Sequence, residues 1–215
     1  MRAAVLGASG YAGTELLRLI TQHPELSVVL ATGDRAAGQS VGAHRPALAA
    51  AYPDLIFGAH EDVRTADVDV VFLALPHGAS QRWVPDLVAR GCVVVDLGAD
   101  FRLADKNDYT EWYGGTHAAP HLLGTFEYGL VERHRPALVG STRIAVPGCY
   151  PTATSLTLGP FLDRAVVAHD GVVVTGLSGL SGAGRGLADH LHFPEAFGNV
   201  SAYGLTQHRH TIEMQ

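Results

Sequence analysis

At 215 residues the chain is long enough for one large domain, or for one domain and part of a second. Nearly half of it is apolar and only 17% is charged, which suits a packed α/β core. A formal charge of -6 with scattered basic residues argues against binding nucleic acid through its phosphates. Two cysteines exclude a disulfide framework and fit a reducing compartment. A strand pattern starting at Arg2 leaves no room for a signal peptide, and no apolar run has the length of a membrane span. The expectation is a soluble, cytoplasmic protein.

In chain order, Ala3 to Leu6 is a short apolar run ending in Gly7. An amphipathic helix is predicted from Tyr11 to Gln22, with Leu16, Leu17, Leu19 and Ile20 toward a sheet. His23-Pro24 closes it, and Ser27 to Thr32 reads as a second strand. A glycine-containing loop follows from Gly33 to Pro46. Asp69 to Leu75 and Cys92 to Leu97 are continuous apolar runs, as expected of parallel strands buried on both faces, with Ser80 to Arg90 helical between them. The stretch Gly98 to Pro136, rich in Tyr, His, Gly and Pro, reads as an irregular insertion. Beyond it come a strand (Arg143 to Val146), a helix (Tyr150 to Arg164), a strand (Val172 to Thr175) and a helix starting at His210. Strands alternating with helices predict a doubly wound parallel Rossmann-type sheet, followed by part of an α+β substrate domain.

Gly7-Ala8-Ser9-Gly10-Tyr11-Ala12-Gly13 lies between the first strand and the first helix. Small residues let backbone approach a pyrophosphate, and a helix N-terminus offers unpaired N–H groups to its charge. The spacing is G-x-x-G-x-x-G, so strand-turn-helix context carries the dinucleotide reading. Asp34 and Arg35 at the end of the second strand point in opposite directions, an acid for a ribose hydroxyl and an arginine for a 2′-phosphate. Ser40, His44 and Arg45 add phosphate donors and tip the expectation slightly to NADP(H).

Val146-Pro147-Gly148-Cys149-Tyr150-Pro151 runs from a strand through Pro-Gly into a helix. A thiol placed there is an exposed elbow nucleophile, where the helix dipole favours negative charge. Cys92, at the start of an apolar strand, reads as structural. A thiol nucleophile on a nicotinamide-binding chain implies attack on an activated acyl group, then hydride reduction of the thioester. His208-Arg209-His210 supplies imidazoles for proton transfer. With His190 and His192 they also spell a four-histidine metal site, which the thiol chemistry does not require; no metal is expected. Ser178 to Gly186 is a second glycine-rich loop whose amides and Arg185 fit an anion, and Arg102 is a further clamp candidate at a strand end.

Six blocks in order make the chain resemble the N-acetyl-γ-glutamyl-phosphate reductases of the aspartate-semialdehyde dehydrogenase superfamily. They are Gly7 to Gly13, Leu73 to Gly78, Asp96 to Leu103, Val146 to Thr152, Ser178 to Arg185 and His208 to Thr211. The resemblance implies NADPH-dependent reduction of the acyl phosphate to N-acetyl-glutamate 5-semialdehyde in arginine biosynthesis, through a Cys149 thioester with His208 as acid/base. Either histidine of the 208/210 pair fits the proton-carrying role. It further implies Arg102, Ser178, Gly179, Arg185, Tyr203, His210 and Glu213 on the substrate side. Gly7, Ser9, Gly10, Tyr11, Ala12, Gly13, Arg35, Pro76 and Gly182 are implied on the cofactor side. A homo-oligomer, dimer or tetramer, is implied for the full-length form.

Departures stand at Val131 and Ile212, where the family usually has proline. Family members also continue beyond residue 215, so the expected division is an NADP-binding domain over 1–148 and an incomplete catalytic domain over 149–215. The alternatives are the lysine-pathway homologue acting on a one-carbon-longer acyl phosphate, disfavoured by Tyr150-Pro151, and a non-catalytic NADP-binding fragment.

Overall fold

The computed structural model describes residues 1–214. Its first four main elements are β1 (Arg2–Leu6), α1 (Tyr11–Ile20), β2 (Ser27–Thr32) and the short α2 (Val41–His44). β3 (Phe57–Gly58), β4 (Val70–Leu73), α3 (Val84–Ala89) and β5 (Val93–Asp96) follow. The chain then forms α4 (Lys106–Tyr113), β6 (Glu127–Tyr128), α5 (Val131–Leu138), β7 (Arg143–Ala145), α6 (Cys149–Leu162) and α7 (Phe193–Ala196). One seven-stranded sheet runs β3-β2-β1-β4-β5-β7-β6, every neighbour parallel. This is the doubly wound order, with the crevice for a ligand beyond the carboxyl ends of β1 and β4.

Burial on both faces explains the apolar strands. Ala4 and Leu6 of β1 point into a core with Val71, Leu73, Trp83, Leu87 and Phe101. Val5 points the other way, into a core with Leu17, Ile20, Val41 and Phe57. A 3.6-residue period places Leu17 and Ile20 against the sheet. It turns Leu19 outward at 51% exposure, against the expectation that this leucine faces the core.

The stretch 98–136 is more ordered than its composition predicts. It contains α4, β6 and α5, and β6 pairs with β7 through Glu127–Ile144 and Tyr128–Ala145 to form the sheet edge. A two-residue strand carries no periodic signal, which is why the sequence reads as irregular there. In the other direction, Val172 to Thr175 forms no strand. It joins no ladder among the described residues, and Val173 is 87% exposed. A strand exists only through a partner that takes up its N–H and C=O groups. The segment that follows is mostly exposed loop, and the predicted final helix is a single 3-10 turn, Thr211–Glu213.

Candidate active site

The turn after β1 is built on glycines. Gly7 has φ +78°, and a Cβ there would lie 2.3 Å from the Ala74 carbonyl oxygen on β4's side. A Cβ on Gly13 would lie 2.3 Å from the Gly7 oxygen, so the helix start packs directly on the strand end. Gly10 caps α1 with no side-chain bond, and the first turn carries no acid. The leading N–H groups of α1 are therefore free for an anion, and the cradle fits a dinucleotide pyrophosphate. A groove of about 500 Å³ opens beside it, lined by Asp34 from β2's end and Leu75 and Pro76 from β4's end.

Three cationic or imidazole side chains gather at this turn, and Arg35 is not among them. Arg185 donates to the Ser9 carbonyl at 2.8 Å and to His44 Nε2 at 2.6 Å, and lies 5.9 Å from the Tyr11 ring centre. Arg45 donates to Thr14 Oγ1 at 3.3 Å in the first turn of α1. Arg35 stands exposed at the end of β2. Arg185, expected on the substrate side, thus sits on the dinucleotide turn. Gly182 lies in the 3-10 turn Leu180–Ala183 of the same exposed loop, next to Ser178 and Gly179.

Asp100 joins this region to the insertion. Its carboxylate accepts Gly78 N–H at 2.7 Å and Ser80 N–H at 3.0 Å, fixing the loop after β4 that carries Pro76. Burial alone would raise its pKa, but bonds from His77 and Gly78 outweigh this and hold it below the usual carboxylate range. The neighbouring Asp96, fully buried at the end of β5, is pushed up to about 6, chiefly by desolvation.

Cys149 is the first residue of α6 and is exposed, whereas Cys92 is buried with its thiol toward the Val68 carbonyl. Around α6's start lie Tyr150, Tyr203, His208 and His210. The two imidazoles are 4.9 Å apart and edge-on, and the Tyr150 ring lies 5.2 Å from His208 and 5.9 Å from His210. The Tyr150 and Tyr203 hydroxyls are 3.0 Å apart. That bond, followed by burial, raises the Tyr203 pKa, and a bond with the Ser178 hydroxyl acts in the opposite direction.

The histidines differ. His210 is buried with Nδ1 unpartnered, and burial foremost pushes its pKa down to about 4. Its ring lies where a Gly148 Cβ would stand, 2.6 Å from Nε2, so only glycine admits it beneath the elbow. His208 is half-buried, and its Nδ1 accepts the His210 N–H at 3.2 Å. Neutral His208 accordingly carries its proton on Nε2. Burial, then the Arg209 charge, lowers its pKa.

Arg102 and Glu213, both expected on the substrate side, form an ion pair with each other. Arg102 Nη1 lies 2.9 Å from Glu213 Oε1, with side chains 6% and 0% exposed. Tyr113 and Tyr128 donate to the same carboxylate at 2.8 Å each, and Gly148 N–H at 3.1 Å. The insertion supplies both tyrosines, and sequence reasoning gave them no role. Their only signal was the density of tyrosine in a stretch without periodicity. Among the described residues no group of three or more His, Cys, Asp or Glu is gathered as a metal-ligand set, and no helix is long and apolar enough to cross a membrane.

A doubly wound sheet with a glycine-cradled turn at its first crossover defines a dinucleotide-binding class of protein, and this one also carries an exposed cysteine at the start of α6. Residues 2–141 match the family model described as "Semialdehyde dehydrogenase, NAD binding domain", and residues 149–215 match "Semialdehyde dehydrogenase, dimerisation domain". The chain belongs to the semialdehyde dehydrogenase family, and its first part is a nicotinamide-dinucleotide-binding domain.

Among curated relatives, the N-acetyl-gamma-glutamyl-phosphate reductase of Acidithiobacillus ferrooxidans is 43% identical over 215 residues, and that of Methanopyrus kandleri 45% over 213. These alignments cover 100% and 98% of this chain and 62% of each relative, so the chain spans about three fifths of their length. Two solved structures share the fold. Aspartate semialdehyde dehydrogenase II of Vibrio cholerae has TM-score 0.52 at 20% identity, covering 75% of this chain and 46% of that one. The aspartate semialdehyde dehydrogenase of Candida albicans, with NADP, has TM-score 0.50 at 17% identity over 76% and 47%.

Proposed function

We propose that this chain carries the dinucleotide site and the nucleophile of an NADPH-dependent N-acetyl-γ-glutamyl-phosphate reductase. The observation that carries the reading is the exposed Cys149 at the start of α6, ringed by His208, His210 and Tyr150, in a chain 43% identical over its whole length to a reductase of that name.

The chemistry follows from the side chains. Cys149 Sγ attacks the acyl carbon as thiolate, the acyl–oxygen bond to phosphate breaks, and a thioester forms with release of inorganic phosphate. When bound, the dinucleotide supplies the hydride that reduces the thioester carbon. The C–S bond then breaks, returning the thiolate and leaving the aldehyde. His208, whose Nδ1 accepts the His210 N–H, keeps Nε2–H to donate to the oxygen that gathers charge in both steps. His210, neutral and wedged beneath Gly148, is suited to shaping the elbow rather than to carrying protons at neutral pH.

NADP(H) preference over NAD(H) is supported by the basic side chains at the turn, Arg45 and Arg185 with His44 beside it, while Arg35 stands exposed at the end of β2. Ser178, Gly179 and Tyr203 belong to the substrate side, Gly182 and Pro76 to the cofactor side. We assign residues 1–148 to the dinucleotide-binding domain and 149–215 to the catalytic domain, which matches a dimerisation model and so forms a homo-oligomer in the full-length protein. The reverse reaction tests the reading: NADP+ reduction with N-acetylglutamate semialdehyde that depends on phosphate. Turnover without phosphate, or none with this aldehyde in the full-length protein, would exclude it.

A further inference from the structure

We infer that Glu213 and Arg102 form a clamp that positions Cys149. The inference rests on Cys149 being the nucleophile, as proposed above.

Each carboxylate oxygen of Glu213 has two acceptor positions, and all four are taken. Oε1 accepts Arg102 Nη1 at 2.9 Å and the Tyr113 hydroxyl at 2.8 Å. Oε2 accepts the Tyr128 hydroxyl at 2.8 Å and Gly148 N–H at 3.1 Å. The side chain is fully buried, so it has neither a lone pair nor a surface to offer a ligand. Arg102 is tied on all three nitrogens, with Nε donating to the Val146 carbonyl at 2.8 Å and Nη2 to the Leu97 carbonyl at 3.1 Å beside its Nη1 bond to Glu213.

These bonds converge on the three residues before the nucleophile. Val146 N–H continues the sheet by donating to the Asp96 carbonyl at 2.8 Å, and Pro147 has no N–H to give. The Val146 carbonyl goes to Arg102 and the Gly148 N–H to Glu213. The two ends of Val146-Pro147-Gly148 are thus tied to opposite members of one buried ion pair. Removing either charge strands the other in a dry site, so the clamp behaves as a unit. Two of Glu213's four bonds come from Tyr113 and Tyr128, which makes the insertion part of the support for the thiol.

The test is Glu213→Gln, read in two ways. By NMR on the 215-residue chain, the Gly148 amide should exchange at least about tenfold faster, because its carboxylate acceptor is gone. In steady-state assays of the full-length reductase, kcat should fall at least about tenfold with KM unchanged, as expected of a misplaced nucleophile. A raised KM with unchanged kcat would make Glu213 a substrate ligand and overturn the inference, as would unchanged Gly148 exchange. Should this variant fail to fold, Tyr128→Phe removes one bond from the same oxygen and keeps both charges. The same two readouts should then move about threefold, and no movement in either overturns the clamp. A wild-type protein without acyl-phosphate reductase activity would sink the functional proposal, while the Gly148 exchange would still decide for or against the clamp.

Discussion

Arg185 donates to the carbonyl of Ser9 at 2.8 Å, although 176 positions separate them in sequence. The bond carries a guanidinium from the loop after α6 onto the dinucleotide turn and ties the two matched family regions together there. Arg185→Ala should weaken NADPH binding about tenfold, the scale of one charge-assisted bond to a phosphate. Fluorescence titration gives the affinity. Unchanged binding with a raised KM for the acyl phosphate would return Arg185 to the substrate side.

Cys149 and Cys92 differ in exposure, and their chemistry should separate accordingly. Iodoacetamide is expected to modify Cys149 first. Cys149→Ser should abolish reduction while leaving dinucleotide affinity within about twofold, since a serine alkoxide is much harder to form. Cys92→Ser, in the core beside the Val68 carbonyl, should lower stability by about 1 kcal/mol and spare turnover. Peptide mapping after alkylation checks the order, and labelling of Cys92 first would reverse the assignment.

Gly148→Ala asks whether His210 must lie beneath the elbow. The added methyl would stand 2.6 Å from Nε2 and within 3 Å of two ring carbons. The imidazole has to move, at a cost of about 1–3 kcal/mol for overpacking. Urea denaturation should register that loss and assays a fall in kcat. A variant as stable and active as the parent would show that the ring has room elsewhere.

Asp96 and His210 tilt the acid limb of the stability profile in opposite directions. His210, near 4 in the fold against 6.5 unfolded, takes its proton more readily in the unfolded chain. It therefore weakens folding by about 3 kcal/mol as pH falls from 6.5 to 4. Asp96, about 6 in the fold against 3.8 unfolded, has the opposite sign. Its contribution is complete below 3.8 and is lost, again about 3 kcal/mol, as pH rises through 6. The slopes oppose each other between pH 4 and 6. Asp96→Asn removes one, so between pH 6.5 and 4.5 the variant should lose about 2 kcal/mol more than the parent. Parallel profiles for the two proteins would exclude the compensation.

The local features were legible in the sequence because they are local in physics. Gly7 to Gly13 reads as a cradle because a strand-to-helix turn that tight excludes Cβ atoms. Cys149 reads as an elbow because Pro147 and Gly148 precede a helix start. The buried strands declare themselves through runs of Val and Leu, and Cys92 through its place in one. What the sequence could not decide was where long polar side chains turn. Arg102 and Glu213 have the right chemistry for a substrate. Only the fold brings them together, with Tyr113 and Tyr128, and fills every acceptor position of the Glu213 carboxylate. Arg185 reads as an anion clamp on the substrate side until the chain returns it to Ser9. The same limit governs Val172 to Thr175 and β6. Pairing partners make strands, and no residue carries its partner's position within itself.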